Sequence, residues 1–277
     1  MSQQHAALLQ LLQDDDPETL ALVKEQLASR GAPALPELQT LLAAAAGGAA
    51  RHVREVIAEI EKREADEIFG RLCREFGDSG DIEDAAWRLA ATFLPGEDFR
   101  PHRALLDEWG AEVGHRIAKI TSERDRIETL VEFLGHELRF RGNEDDYYSL
   151  SNSLLPEVIE TRLGNPITLS LLYLLVGRRA GLPVDGVGLP GHFVIRYRAD
   201  FFDPFHGGRR LGLEECRALL AQRGETLTAE HLEPTTPRPM LARILTNLYC
   251  LAAPSDPTLA ARIAGWIESL GSVQTRG

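Results

Sequence analysis

Cysteine is scarce: the 277 residues include three, Cys73, Cys216 and Cys250, far apart and without a Cys-x-x-Cys pair or zinc-ligand spacing. A disulfide framework is therefore not expected, and the ordinary reading is buried thiols in a reducing compartment. Basic charge is also short, with 30 Lys and Arg against 42 Asp and Glu and a formal net charge of -12. Non-specific binding to nucleic acid or to an anionic membrane needs a basic surface, so neither partner is expected. Long apolar runs are missing too. The longest, "LSLLYLLVG" and "LLAAAAGGAA", fall well below the roughly 20 residues of a membrane span. The opening "MSQQHAALLQLLQDDD" has neither the basic start nor the apolar core of a secretory signal. The expectation is a soluble, cytoplasmic protein.

What is present is a core-forming composition, 44% hydrophobic. Helical patterning dominates. In "DDDPETLALVKEQLASRG", Asp16 is a natural N-cap, Pro17 suits the first helical position, and Leu20, Val23 and Leu27 share a face. "RHVREVIAEIEKREADEIFGRL" continues this spacing, and "GDSGDIEDAAWRLAATFLPGEDF" predicts a helix ending at Pro95-Gly96. Ser122 predicts the start of another. His102, His115 and His136 sit on helices without paired ligand spacing. In "NPITLSLLYLLVGRRAGLP", Asn165 can cap, Pro166 can open the helix, and the run from Leu169 to Val176 is apolar nearly all round. That pattern marks a central, buried helix. "LGLEECRALLAQRG" and a two-helix tail broken at Pro254-Ser255-Asp256-Pro257 complete the helical set.

One stretch changes period. In "VGLPGHFVIRYRADFFDPF", Phe193, Ile195 and Tyr197 alternate with His192, Val194 and Arg196. A turn at Arg198-Ala199 returns the chain antiparallel and sets Asp203 diagonally across from His192 on one face. The fold class is α+β, mainly helical, with a central helix packed on a small antiparallel sheet. A helix N-terminus facing a His-Asp pair is a plan for thiol catalysis: the helix end lowers a thiol's pKa and the aspartate orients the histidine.

The stretches "RGNEDDYYSLSNSLLPEVIETRLGNPITLSLLYLLVGRRAGLPVDGVGLPGHFVIRY" and "FFDPFHGG" resemble the transglutaminase-like core of the bacterial SirB-type family. The paired helices of the N-terminal region, 1–62, resemble HEAT-like units; a helical region at 63–125 follows, and the family resemblance implies the core at 126–232 and a TPR-like tail at 233–277. It implies a transglutaminase/papain-like architecture and places His192 and Asp203 at the family's catalytic histidine and aspartate. The family's Gly-x-Cys reads Gly164-Asn165-Pro166 here, so proline stands where the nucleophile belongs.

Three readings of this vestigial triad follow. The favoured one is a non-catalytic, protein- or peptide-binding or regulatory module that requires no cofactor. Tyr147, Tyr148, Asn152, Asn165, Thr168 and His206 would then line the old cleft. An alternative is a hydrolase or acyl transferase using an alcohol, Thr168 or Ser170, a repositioned Cys216, or a metal held by His192, Asp203 and His206. The third is structural: Thr168 bonds within the first helical turn, Tyr147 and Tyr148 are packing anchors, and His192 with Asp203 pins the hairpin.

Overall fold

The computed structural model describes residues 3–13, 16–221 and 224–271, and the chain divides into two compact units. The first comprises Met1–Arg71 and Arg88–Glu97. It holds helices α1 (Gln3–Leu11), α2 (Pro17–Ala28), α3 (Leu35–Ala44) and most of α4 (Gly47–Glu75). Asp16 caps α2 by accepting the Thr19 N–H, and Pro17 opens that helix. Leu12, Leu27, Leu38, Leu41, Val53, Val56 and Ile60 form the unit's core, with Leu20 and Val23 packed on its margin. One face of each helix is thus removed from water, the main source of stability for helices as short as α1, α2 and α3.

The second unit comprises Leu72–Trp87 and Asp98–Gly277. After α5 (Ile82–Phe93) come α6 (Arg100–Ile117) and α7 (Glu123–Val131), the latter capped by Ser122, whose Oγ accepts the Asp125 N–H. A π-helical turn, Glu132–Glu137, follows directly. Next stand β1 (Arg141–Gly142), α8 (Leu155–Thr161), β2 (Leu163–Gly164) and α9 (Pro166–Arg179). Strands β1 and β2 pair in parallel, which the sequence did not suggest, because two residues carry no readable alternation.

Helix α9 is the axis of this unit, buried from Pro166 through Gly177. At roughly 1.5–3 kcal/mol for each large apolar side chain fully removed from water, its leucines are a major stabilising element. The helix packs against α6 and β4. At its C-terminus Arg179 reaches Glu83 at 2.8 Å and Asp107 at 2.6 Å, so the last turn is tied by charge-assisted bonds.

The sheet is antiparallel with the order β3 (Asp185–Leu189), β4 (His192–Tyr197), β5 (Asp200–Asp203), β6 (Arg209–Leu211). Arg198 and Ala199 make the β4–β5 turn, Arg198 taking a left-handed φ of 59°. Val187, Leu189, Val194, Phe201 and Leu211 pack with Cys216 and Leu220 of α10 (Leu213–Ala221). Gln222 and Arg223, the end of that expected helix, lie outside the described residues. The tail is α11 (Pro237–Ala252) and α12 (Pro257–Gly271), broken where its prolines predict. Among the described residues, no helix is long and apolar enough to cross a membrane.

Gly135, in the π-helical turn, lies against the turn that follows β5: a Cβ there would stand 2.1 Å from the Gly207 carbonyl oxygen. At Gly114 of α6 a Cβ would meet nothing nearer than Ala180 Cα at 3.7 Å. Gly135→Ala is therefore expected to cost at least about 1–3 kcal/mol through forced backbone displacement. Gly114→Ala should stay within about 1 kcal/mol of wild type. Denaturant midpoints of the two variants check the contrast, and equal midpoints would remove the close approach.

Candidate functional site

The register Ile195↔Phe202, carried one step further, sets Asp203 opposite Val194 and diagonal to His192. The side chains meet there: His192 Nε2 lies 3.0 Å from Asp203 Oδ2. The atoms are close enough to pair electrostatically, but the angle is poor and the nitrogen has no aligned hydrogen-bond acceptor among the described residues. A second imidazole completes the group. His206 Nδ1 stands 2.6 Å from the same Oδ2, while Oδ1 accepts the Phe205 N–H at 3.1 Å. Asp203 has no solvent exposure, His192 is nearly buried, and His206 is open to solvent.

A buried carboxylate without partners would take up a proton. Burial pushes the Asp203 carboxyl up, but His192 and His206 outweigh that effect and hold it below the usual carboxylate range. Tyr173 of α9 is buried close by. Its hydroxyl bonds to no described residue, and burial followed by the charge of Asp203 drives its pKa upward. It is a neutral phenol facing a charged group.

The start of α9 is taken up by capping. Pro166 occupies its first position and is buried. Asn165 caps the helix through Oδ1, which accepts from Thr168 N and Thr168 Oγ1, both at 3.0 Å. Its Nδ2 donates to Ser153 Oγ at 2.8 Å. Thr168 is thus committed to the cap, and Ser170 donates to the Phe193 carbonyl at 3.3 Å. Asn152 is buried as well, donating to the carbonyls of Asp146 and Tyr147 and accepting from Asn143 Nδ2. Asn152, Asn165 and Thr168 therefore brace the loop and the helix start beneath the cleft; they do not line it. In that buried setting their polar atoms must bond internally.

The exposed lining lies elsewhere. Tyr147 and Tyr148 are 42% and 78% exposed and meet edge to face, and Tyr147 continues onto Phe205 at a centroid distance of 5.9 Å. Phe205 in turn meets the rings of His192 at 6.1 Å and His206 at 5.2 Å. An aromatic chain thus runs from the surface to the His-Asp-His group. Beside it opens a cavity of about 370 Å³ lined by Arg141, Asn143, Glu144, Asp145, Phe205 and His206, among others. Sequence reading set Asp145 beside the two tyrosines but missed Phe205, Arg141 and Glu144. The signal for Phe205 was its place between two candidate site residues in "DPFH"; the charged residues gave none, because loop charges are ordinarily solvated.

The cysteines stand apart from this chemistry. Cys216 is sealed in the apolar cluster beneath α10, and burial raises its thiol pKa. Burial pushes the Cys73 thiol up to about 12. Cys250 is exposed. Titration with a chromogenic disulfide should therefore count one reactive thiol in the native protein and three after denaturation. A second fast native thiol would contradict the buried placement of Cys73 or Cys216.

The comparisons agree with this architecture. Residues 100–246 match the family model described as the transglutaminase-like superfamily. A UPF0162 protein of Xylella fastidiosa (strain Temecula1) is 42% identical over 200 residues, covering 68% of this chain and 71% of its own length. A UPF0162 protein of Pseudomonas aeruginosa is 33% identical over 199 residues, covering 69% and 72%. F-box only protein 21 of Mus musculus is 32% identical over 147 residues, which are 49% of this chain but 23% of that protein. No solved structure matches significantly. With more than half its length inside the family model and two bacterial relatives matched over most of theirs, the chain belongs to the UPF0162 family of the transglutaminase-like superfamily.

Proposed function

We propose that this protein is a SirB-type, cytoplasmic, non-thiol member of its superfamily, and that its cleft binds a peptide segment of a protein partner. The observation that carries the reading is the start of α9. A buried proline stands where a nucleophilic thiol would be needed, and the nearest alcohols, Thr168 and Ser170, are bonded into the helix start and the sheet. The hydroxyl-nucleophile alternative accordingly loses its best candidates.

The groove has the character of a recognition surface. Tyr147, Tyr148 and Phe205 offer rigid aromatic area at low entropic cost, and His206 adds an exposed polar contact. Glu144 and Asp145 on the cavity wall favour a basic residue in the bound segment. The shared 147 residues occupying 23% of a much longer eukaryotic protein support a core used as a module. The helical flanks, read as HEAT- and TPR-like, would extend the binding surface beyond the groove. Three cysteines without a paired spacing suit the cytoplasm.

The test is fluorescence anisotropy with labelled peptide pools, basic-aromatic and acidic, against wild type, Tyr148→Ala and His206→Ala. Basic-aromatic peptides should bind wild type, and each variant should weaken them by about 10-fold or more. Peptide binding that is absent, or unchanged in both variants, would sink the reading. Mass spectrometry after incubation with an activated acyl ester supplies the other arm: an adduct on Thr168 would make the protein an acyl-transfer enzyme.

A further inference from the structure

We infer that His192, Asp203 and His206 form a binding site for a divalent transition-metal ion, with Zn²⁺ the best-matched ion. One nitrogen from each histidine and one oxygen from the aspartate lie within 4.8 Å of one another. Two of the spacings are 3.0 Å and 2.6 Å. Ligands at about 2.0–2.2 Å from a tetrahedral ion stand roughly 3.3 Å apart, so small side-chain rotations bring the set to coordination distance. Two imidazoles and a carboxylate are a borderline-to-hard donor set that suits Zn²⁺ with part of its coordination sphere open.

Three further observations separate this group from an ordinary ion pair. Asp203 is wholly buried, and its Oδ1 is engaged by the Phe205 N–H, which orients Oδ2 toward both imidazoles. This is the outer support that metal carboxylates have. His192 Nε2 is buried within the group, 3.0 Å from Asp203 Oδ2 but without a well-aligned hydrogen bond to it, so an ion can take the place between them. His206, the outermost donor, lines the cavity, so there is an entry path and the open coordination positions face the groove. On binding, the ion replaces the protons between Asp203 and the two imidazoles; these leave to solvent, and His192 Nε2 and His206 Nδ1 become ligands. An ion there would face any group that entered the groove. The site is independent of the peptide reading, since a metal-binding protein with no peptide partner satisfies it.

Isothermal titration calorimetry of the full chain, first dialysed against a chelator, tests the site with ZnCl₂ alone. One Zn²⁺ per chain is expected, with Kd about 1 µM or tighter. His206→Ala removes one partner of Asp203, so its fold is first checked by circular dichroism; the folded variant should bind Zn²⁺ at least about 10-fold more weakly. His192→Ala should do the same, whereas His231→Ala, on a separate half-buried turn, should bind as wild type does. Co²⁺ substitution should give the intense visible absorption of a low-coordinate site in wild type and not in His206→Ala. No saturable binding, or equal affinity in wild type and His206→Ala, would overturn the inference.

Discussion

A helix buried along most of its length has to find partners for its first N–H groups without help from water. That constraint, met at the start of α9, organises the core. Pro166 removes one donor from the problem, and Asn165 answers another by accepting the Thr168 N–H. Asn165 is itself held by Ser153, and its N–H donates to the Asn152 carbonyl. Asn152 then fastens the loop that carries Tyr147 through two backbone carbonyls. The polar stretch from Asn143 to Ser153 is thus built around a cap. Its order follows from the cost of leaving buried amides and carbonyls unpaired, about 1–3 kcal/mol each.

The same helix start carries the chemical consequence. A thiol there would gain from the positive end of the helix; a proline does not. What the position retains is geometry, since the fixed φ of proline is preorganised for the first helical residue. The strands keep their polar group all the same. A buried carboxylate cannot be left alone at neutral pH, so Asp203 needs both imidazoles whether or not anything reacts. His192 and Asp203 are thus under this physical constraint whatever stands at the helix start, and His206 shares it.

Around this group the fold assigns exposure by height. Asp203 is at the bottom, His192 nearly covered, Phe205 packed beside both histidines, and His206, Tyr147 and Tyr148 reach solvent. The close approach of Gly135 to the Gly207 carbonyl sets the turn that presents His206. A π-helical turn, a glycine pair and a three-residue helical turn after β5 thus decide how open the site is, though none of them carries chemistry itself.

The helices were readable because their signals are local. Asp16, Ser122 and Asn165 act as caps where they stand in the chain, prolines open α2 and α9, and the apolar run of α9 requires burial whatever surrounds it. The His192–Asp203 diagonal was readable too, since strand period and a two-residue turn set it once the chain reverses. The two-residue parallel pair, the ring contacts of Phe205 and the acidic cavity wall were not, because each joins segments whose separation in sequence carries no period. The choice between cleft and support was beyond the sequence as well: Asn152, Asn165, Thr168 and His206 all read as site residues, and packing buries the first three while it leaves His206 open to solvent beside Asp203. By itself the sequence determined a mainly helical α+β chain, the capped central helix and the His192–Asp203 diagonal, all consequences of local sterics and hydrophobic period. Only the tertiary structure decided which polar groups face solvent and that one carboxylate serves two imidazoles, because burial and convergence depend on elements meeting in space.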